Sequence, residues 1–177
     1  KILTPPKRPK LELFNIHSAL EKVFALSQAD EQDNLKIFRD YDPSIPEIYG
    51  DEDLFIQAIL NIIKNAQQAL SSADDPEITI KSRVAYSQPI NGNLHSTLCE
   101  VSIIDNGPGI PVDIQDQVFF PMVSSKEDGS GLGLSISQDI IRIHGGAISF
   151  ETKKGKTAFS ILIPINVESK KDEVKSA

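Results

Sequence analysis

The run Gly129-Ser130-Gly131-Leu132-Gly133-Leu134 follows a polar stretch, Ser124-Ser125-Lys126-Glu127-Asp128, and leads straight into a helical pattern from Ser135 to Ile143. Glycines ahead of a helix N-terminus leave N–H groups converging on one point. The helix dipole adds positive potential there, so an anion such as a phosphate can be cradled. Alone, alternating glycines are equally often a flexible turn.

Three other stretches add chemistry. In the helical pattern from Asp51 to Leu70, Gln57, Asn61 and Asn65 step by four with Gln68 beside them. These amides border an apolar arc of Phe55, Ile59, Ile62, Ile63, Ala66 and Leu70. Such a stripe is either a solvated flank or a row of amide oxygens able to ligate a hard cation. Mg²⁺ is the natural case, because it keeps several waters and leans on substrate phosphates. Next, Ile103-Ile104-Asp105-Asn106-Gly107-Pro108-Gly109 takes a buried strand to an acid and then a tight turn. Plain turn chemistry accounts for it. Equally, an Asp at a buried strand end can accept a hydrogen bond from a purine amino group, with glycines that let a flat ring approach the backbone. Finally, Val118-Phe119-Phe120-Pro121-Met122 precedes Val123-Ser124-Ser125-Lys126. It reads as a hydrophobic plug, or as the anchor of a lid from which Lys126 reaches a terminal phosphate.

The elements that must position these groups follow from periodicity. Residues Ile16 to Ala29 form a helical pattern capped by Asn15, and Asn34 to Tyr41 alternates like a strand that ends at Asp42-Pro43. The Asp51 to Leu70 helix opens on acids that suit its dipole. Glu77 to Tyr86 and Thr97 to Ile104 read as antiparallel strands turned by Pro89-Ile90-Asn91-Gly92-Asn93. A short helix near Asp113 to Val118 precedes the glycine loop. Strands Ala147 to Thr152 and Thr157 to Ile163 follow, joined by Lys154-Gly155-Lys156. The expected fold is α/β of the α+β kind. It is a two-layer sandwich of a mixed, mostly antiparallel sheet with helices on one face.

At 177 residues the chain is one domain with room for a real core. Residues 1–15, whose first ten carry three prolines and four bases, read as a linker. Residues 16–165 read as the domain, and 166–177 as a flexible tail. The net charge of −7 leaves a surface that argues against nucleic acid or an anionic membrane. No apolar run reaches membrane-spanning length. The single Cys99 sits in a strand pattern and suits a reducing cytoplasm. The chain opens on Lys1 and its one Met is Met122, so it is expected to be a piece of a longer protein.

Taken in order, Asn61-x-x-x-Asn65-Ala66, Asp105-x-Gly107-x-Gly109, Phe119-x-Pro121 and Gly129-x-Gly131-x-Gly133-Leu134 resemble the ATP-binding domain of sensor histidine kinases. That domain shares a Bergerat-type fold with gyrase, Hsp90 and MutL, and the resemblance runs from about Ile16 to Ile165. Phe38 to Glu47, Asn65 to Leu70 and Phe120 to Ser124 bring it nearer to the nitrogen-regulation sensor kinases, the NtrB type. The resemblance implies ATP as substrate, ADP as product and Mg²⁺ as cofactor. Asn65 would ligate the metal, and Asn61 would help hold metal and phosphates. Asp105 would accept the adenine amino hydrogen bond, with Gly107 and Gly109 under the purine and Thr157 assisting through water. A strand-start threonine is the plainer reading of Thr157. Phe119 would anchor the lid, and Gly129, Gly131, Leu132, Gly133 and Leu134 would wrap the phosphates.

Two positions depart from the family pattern. Met122 stands where a second aromatic is usual, and Gln68 where a base often follows Asn65, which leaves Lys126 for phosphate charge. In the gyrase and Hsp90 branch, the place of Asn61 holds a Glu that activates water. An amide cannot serve as that base, so phosphoryl transfer to another domain is expected rather than hydrolysis. The family's phosphoacceptor His, followed by an acid, is absent. His17 lies near a helix start, His95 in the hairpin loop, and His144 at a helix C-terminus where its charge would suit the dipole. The implied partners are the chain's own dimerisation and phosphoacceptor domain, a response regulator of the NtrC type and the PII signal protein. The fragment itself is expected to be monomeric, cytoplasmic and weak in autophosphorylation, with a homodimeric parent. A gyrase or MutL-type ATPase, a regulator-binding pseudokinase and an anti-sigma-factor serine kinase are the competing readings.

Overall fold

The computed structural model describes residues 8–29, 34–90, 92–121 and 133–165. The segment 122–132, and with it Met122, Lys126, Gly129, Gly131 and Leu132, lies outside the described residues, as does the expected tail.

Strand β1 (Glu12–Phe14) is followed by helix α1 (Ile16–Gln28), then β2 (Lys36–Asp40), β3 (Ile48–Gly50) and helix α2 (Glu52–Ala69). The long strands β4 (Glu77–Ile90) and β5 (Asn93–Asp105) come next, then a 3₁₀ turn (Val112–Gln117), helix α3 (Gly133–Ile143), β6 (Ala147–Lys153) and β7 (Lys156–Pro164). Five strands form the main sheet in the order β2-β4-β5-β7-β6, with β2 parallel to β4 and the other pairs antiparallel. The apolar parity of each strand faces the helices. Ile78, Ile80, Val101, Ile103, Phe159, Ile161 and Ile163 pack against Leu20, Phe55, Ile59, Ile62, Ile63 and Ile141 in one core. The expected two-layer, mostly antiparallel sandwich is the observed fold.

Helices α1 and α2 start where their caps dictate. The Asn15 side chain accepts from the N–H groups of His17 and Ser18, and Asp51 Oδ1 accepts from Leu54 N–H at 3.1 Å. Helix α3 ends in a Schellman motif. Gly146 N–H donates to Ile141 O and Gly145 N–H to Arg142 O, with Gly145 at φ 72°, a conformation that a side chain would oppose. His144 sits at that C-cap, but it carries no helix-capping charge. Its Nε2 accepts from the Asp51 backbone N–H at 3.0 Å, which requires a lone pair there, so Nδ1–H donates to Ile140 O at 2.8 Å. The ring is neutral and ties the end of α3 to the start of α2.

The strands extend further than their patterns suggest. Pairing of β4 with β5 continues to Ile90↔Asn93, so Pro89 and His95 lie in strands. The first strand, β1, lies within the stretch read as linker. It pairs with β3, burying Phe14 and Ile48. Three-residue strands are too short to show a period.

The segment after β2 closes that edge of the sheet. Asp42 Oδ1 accepts from Ser44 N–H and Oγ–H, while Oδ2 takes Val84 N–H beyond the last β2 pair, Asp40↔Lys81. These bonds hold the Asp42 carboxyl below the usual carboxylate range. Cys99 lies buried in β5, and burial pushes its thiol up to about 12.

Candidate nucleotide site

Helix α2 is the backbone of the site. Asn61 and Asn65 share one flank, a turn apart, both half-buried, whereas Gln57 and Gln68 are exposed. The start of α3 meets this flank. A Cβ built on Gly133 would lie 3.7 Å from Asn61 Cβ and 3.9 Å from Asn61 Cγ. Ser137, fully buried one turn later, donates to Ala58 O at 2.9 Å or to Gly133 O at 3.0 Å and thereby fixes α3 on α2. Leu134 packs at the edge of the core.

At the other end of the same flank lies the loop after β5. A Cβ on Gly107 would meet Leu70 Cδ2 at 3.4 Å and Ala69 O at 3.5 Å. Asn65 therefore lies between two contact points on α2, Asn61 and Leu70, that are about 13 Å apart along the axis. Asp105 closes β5 with only 4% of its surface exposed, accepting from Gly107 N–H at 2.9 Å. Burial raises its carboxyl above the ordinary value of 3.8, and the Gly107 bond opposes that rise.

The loop is clamped on both sides. Asn106 Oδ1 accepts from Glu77 N–H and its Nδ2–H donates to Asp75 O, each at 2.8 Å. Gly109 has φ +88°, and a Cβ there would lie 2.8 Å from Lys153 O, so a side chain fits neither the backbone nor the space. Ile110 N–H donates to Thr152 Oγ1 at 2.9 Å. Thr157, buried, stands directly across from Asp105 on β7, and Thr152 stands across from Thr157 on β6, with their hydroxyl oxygens 2.8 Å apart. Asp105, Thr157 and Thr152 thus form a polar row on the core face of three neighbouring strands.

Phe119 leaves the 3₁₀ turn and packs into an aromatic cluster, its ring 6.0 Å from Phe150 and 6.2 Å from Phe159. Phe120 is exposed. The structure therefore brings Asn61 to Gly133, Asp105 to Gly107 and Thr157, and Gly109 to the β6–β7 hairpin. Phe119 is fixed near the start of β7. Thr152, Asn106 and Ser137 escaped the sequence reading. Thr152 had a signal: it shares the strand parity of Ile148 and Phe150, a polar residue at a core position.

A family profile described as histidine kinase-, DNA gyrase B- and HSP90-like ATPase matches residues 50–167. The chain belongs to that family. Within this ATPase family, its similarities lie with histidine kinases. The sensory histidine kinase/phosphatase NtrB of Vibrio alginolyticus is 47% identical over 165 residues, covering 93% of this chain and 47% of the relative. NtrB of Salmonella typhimurium is 42% identical over 164 residues, covering 92% and 47%. The nucleotide-free catalytic domain of the histidine kinase ThkA superposes with a TM-score of 0.73 at 26% identity, over 88% of this chain and 96% of that one. The chain spans about half the length of the curated relatives it matches. Among the described residues no helix is long and apolar enough to cross a membrane.

The donor set suits the cation that this family implies. Among the described residues no group of three or more His, Cys, Asp or Glu could hold a metal. A transition-metal or all-protein Ca²⁺ cage is thus not what the described part offers. Amide oxygens of Asn61 and Asn65 on a half-open flank fit Mg²⁺, which completes its shell with water and phosphate oxygens.

Proposed function

We propose that this domain binds ATP with Mg²⁺ and hands the γ-phosphoryl group to a histidine on a separate domain. The observation that carries this reading is Asn61 beside Gly133. A Cβ built at Gly133, where the glycine-loop helix starts, would meet Asn61, an amide that cannot act as the base that activates water. The P–O bond to the bridging oxygen would break as a P–N bond forms to imidazole, and ADP would leave. With no general base required of this domain, its work is positioning and charge neutralisation.

Roles follow from position. Asp105 accepts from the adenine amino group, and Gly107 and Gly109 let the purine lie against the backbone. Thr157 assists at the ring through water. Asn65, with Asn61, holds the Mg²⁺, which when bound neutralises phosphate charge. Phe119 anchors a lid. Lys126, Gly129, Gly131 and Leu132, all outside the described residues, together with Gly133 and Leu134, surround the phosphates. The residues before β1 link to the dimerisation and phosphoacceptor domain, and the catalytic unit runs from β1 to 165. The phosphate then passes to a response regulator, of the NtrC type in the nitrogen-regulation branch. The PII signal protein acts as regulator, in the cytoplasm, on a homodimeric parent.

The test is transfer in trans. The purified chain is incubated with γ-labelled ATP and Mg²⁺, with and without a separately expressed NtrB-type phosphoacceptor domain. Acid-labile label on the added domain only is the expected result. Sustained phosphate release without acceptor, abolished by Asn65→Ala, would assign an ATPase instead.

A further inference from the structure

We infer that Thr152 orients the hydroxyl of Thr157 and is thereby a positioning residue for purine recognition. The inference rests on the nucleotide reading of the Asp105 site. A backbone N–H can only donate, so Thr152 Oγ1 is an acceptor toward Ile110, 2.9 Å away. Its single proton remains, and Thr157 Oγ1 lies 2.8 Å off. If Thr157 donated instead, Thr152 would take two donors and its own proton would have no acceptor within the Ile110, Thr152 and Thr157 chain. Thr157 would then turn only lone pairs toward the Asp105 side, where a buried carboxylate already supplies lone pairs. The favoured chain runs Ile110 N–H to Thr152, Thr152 O–H to Thr157, and Thr157 O–H toward the pocket.

That direction has a recognition consequence. Directly opposed residues on paired strands hold their Cβ atoms roughly 5 Å apart. Asp105 and Thr157 therefore present an acceptor and a donor side by side, with the Thr157 O–H relayed to the ring through water. Adenine's Watson–Crick edge offers the complement, an amino donor beside the N1 acceptor. Guanine offers an oxygen acceptor beside an N1–H donor, the reverse order. Asp105 alone selects for an amino group. Thr152, by committing the Thr157 proton to the pocket, adds selection for N1.

The experiment uses the whole chain with Mg²⁺ and three probes: ADP, 1-deaza-ADP (N1 replaced by C–H) and purine riboside diphosphate (no amino group). Titration calorimetry gives the affinities for wild type, Thr152→Ser, Thr152→Val and Thr157→Val. One neutral hydrogen bond corresponds to a preference of roughly three- to tenfold. Wild type and Thr152→Ser should prefer ADP over 1-deaza-ADP by that factor. Thr152→Val should lose this preference while keeping the preference for ADP over the riboside. A Thr152→Val, Thr157→Val double variant should be no worse than either single, because the two hydroxyls act in series. Thr152→Ala carries the same test if the valine does not fit. The inference is overturned if Thr152→Val keeps the N1 preference, or if both preferences fall together with the melting temperature, as simple loop support would give. A folded wild type that binds none of the probes overturns the nucleotide reading itself, and the inference falls with it.

Discussion

Asp105→Asn separates what the carboxylate does for the ligand from what it costs the fold. Asp105 Oδ1 accepts from Gly107 N–H at 2.9 Å, so the proposed contact with the adenine amino group would use Oδ2. An Asn that keeps the Gly107 bond must place its NH₂ where Oδ2 was, so two donors face each other. If the amide flips, Gly107 N–H loses its acceptor. Either way the charged-acceptor hydrogen bond is gone, worth about 1.5–3 kcal/mol, or roughly 10- to 150-fold in affinity for Mg²⁺–ADP. The unliganded protein should respond in the opposite sense. The carboxyl is buried and its folded-state pKa lies above the ordinary 3.8, so the folded state holds its proton more tightly than the unfolded one. Below 3.8 the charge costs nothing. Stability is lost as pH rises from there through the raised folded value, and the whole cost is present above it. The Asn variant escapes this loss. Without nucleotide at pH 7 it should melt higher than wild type, and the gap should close as pH falls toward 4. Calorimetry with ADP and thermal melts across pH 4–8 give both readouts. Unchanged ADP affinity, or a variant that melts lower at pH 7 with the Gly107 bond intact, would refute the reasoning.

Three further outcomes follow. Gly109→Ala must put a side chain at φ +88° and within 2.8 Å of Lys153 O, so the loop separates from the β6–β7 hairpin. The backbone term alone is about 1–2 kcal/mol, the clash adds to it, and chemical denaturation should report more than 2 kcal/mol together with weakened ADP binding. His17 makes a 2.9 Å bond to Ser82 Oγ and stacks on Tyr41; its burial outweighs the pull of Asp42 and Glu21 and lowers its pKa below 6.5. The unfolded state therefore takes the proton first, and stability is lost as pH falls below 6.5 through the lowered folded value. His17→Gln should flatten that part of the melting curve. Cys99 should resist a thiol reagent at pH 8 in the native state and react fast in denaturant, because burial both hides it and raises its pKa to about 12.

Much of this was legible because burial writes itself as a period. The arc from Phe55 to Leu70 showed which face of α2 packs, and so which flank carries Asn61 and Asn65. The acid at the end of Ile103-Ile104 showed where the strand stops being core. What stayed hidden were contacts between residues far apart in the chain. Thr152 takes its meaning from Ile110, His144 from Asp51, and Asn106 from Asp75 and Glu77. No local pattern announces such pairs. His144 was misread for this reason: at a helix end the general expectation is a favourable charge, but the ring is committed to a neutral bond across the fold. The segment Phe38 to Glu47, which pointed to the nitrogen-regulation branch, serves the fold in the described residues. It joins β2 to α1 through Arg39 and Glu21, and to β4 through Asp40 and Arg83 and through Asp42. That edge strand is separated by two others from β7, where Thr157 lies.

The frame around the site explains why so few side chains suffice. Helix α3 is fixed to α2 at both ends: Ser137 donates to Ala58 near its start, and His144 accepts from Asp51 at its end. With two bolts the helix cannot pivot on α2, so the distance between Gly133 and Asn61 is set by the core rather than by the loop before it. Before the segment 122–132, Phe119 packs against both Phe150 and Phe159, which also contact each other. The described residues on either side of 122–132 are therefore held firmly, Phe119 on the sheet and α3 on α2. Asn61, Asn65 and Asp105 are thus positioned by packing and hydrogen bonds among the described residues, and their placement does not depend on the segment 122–132.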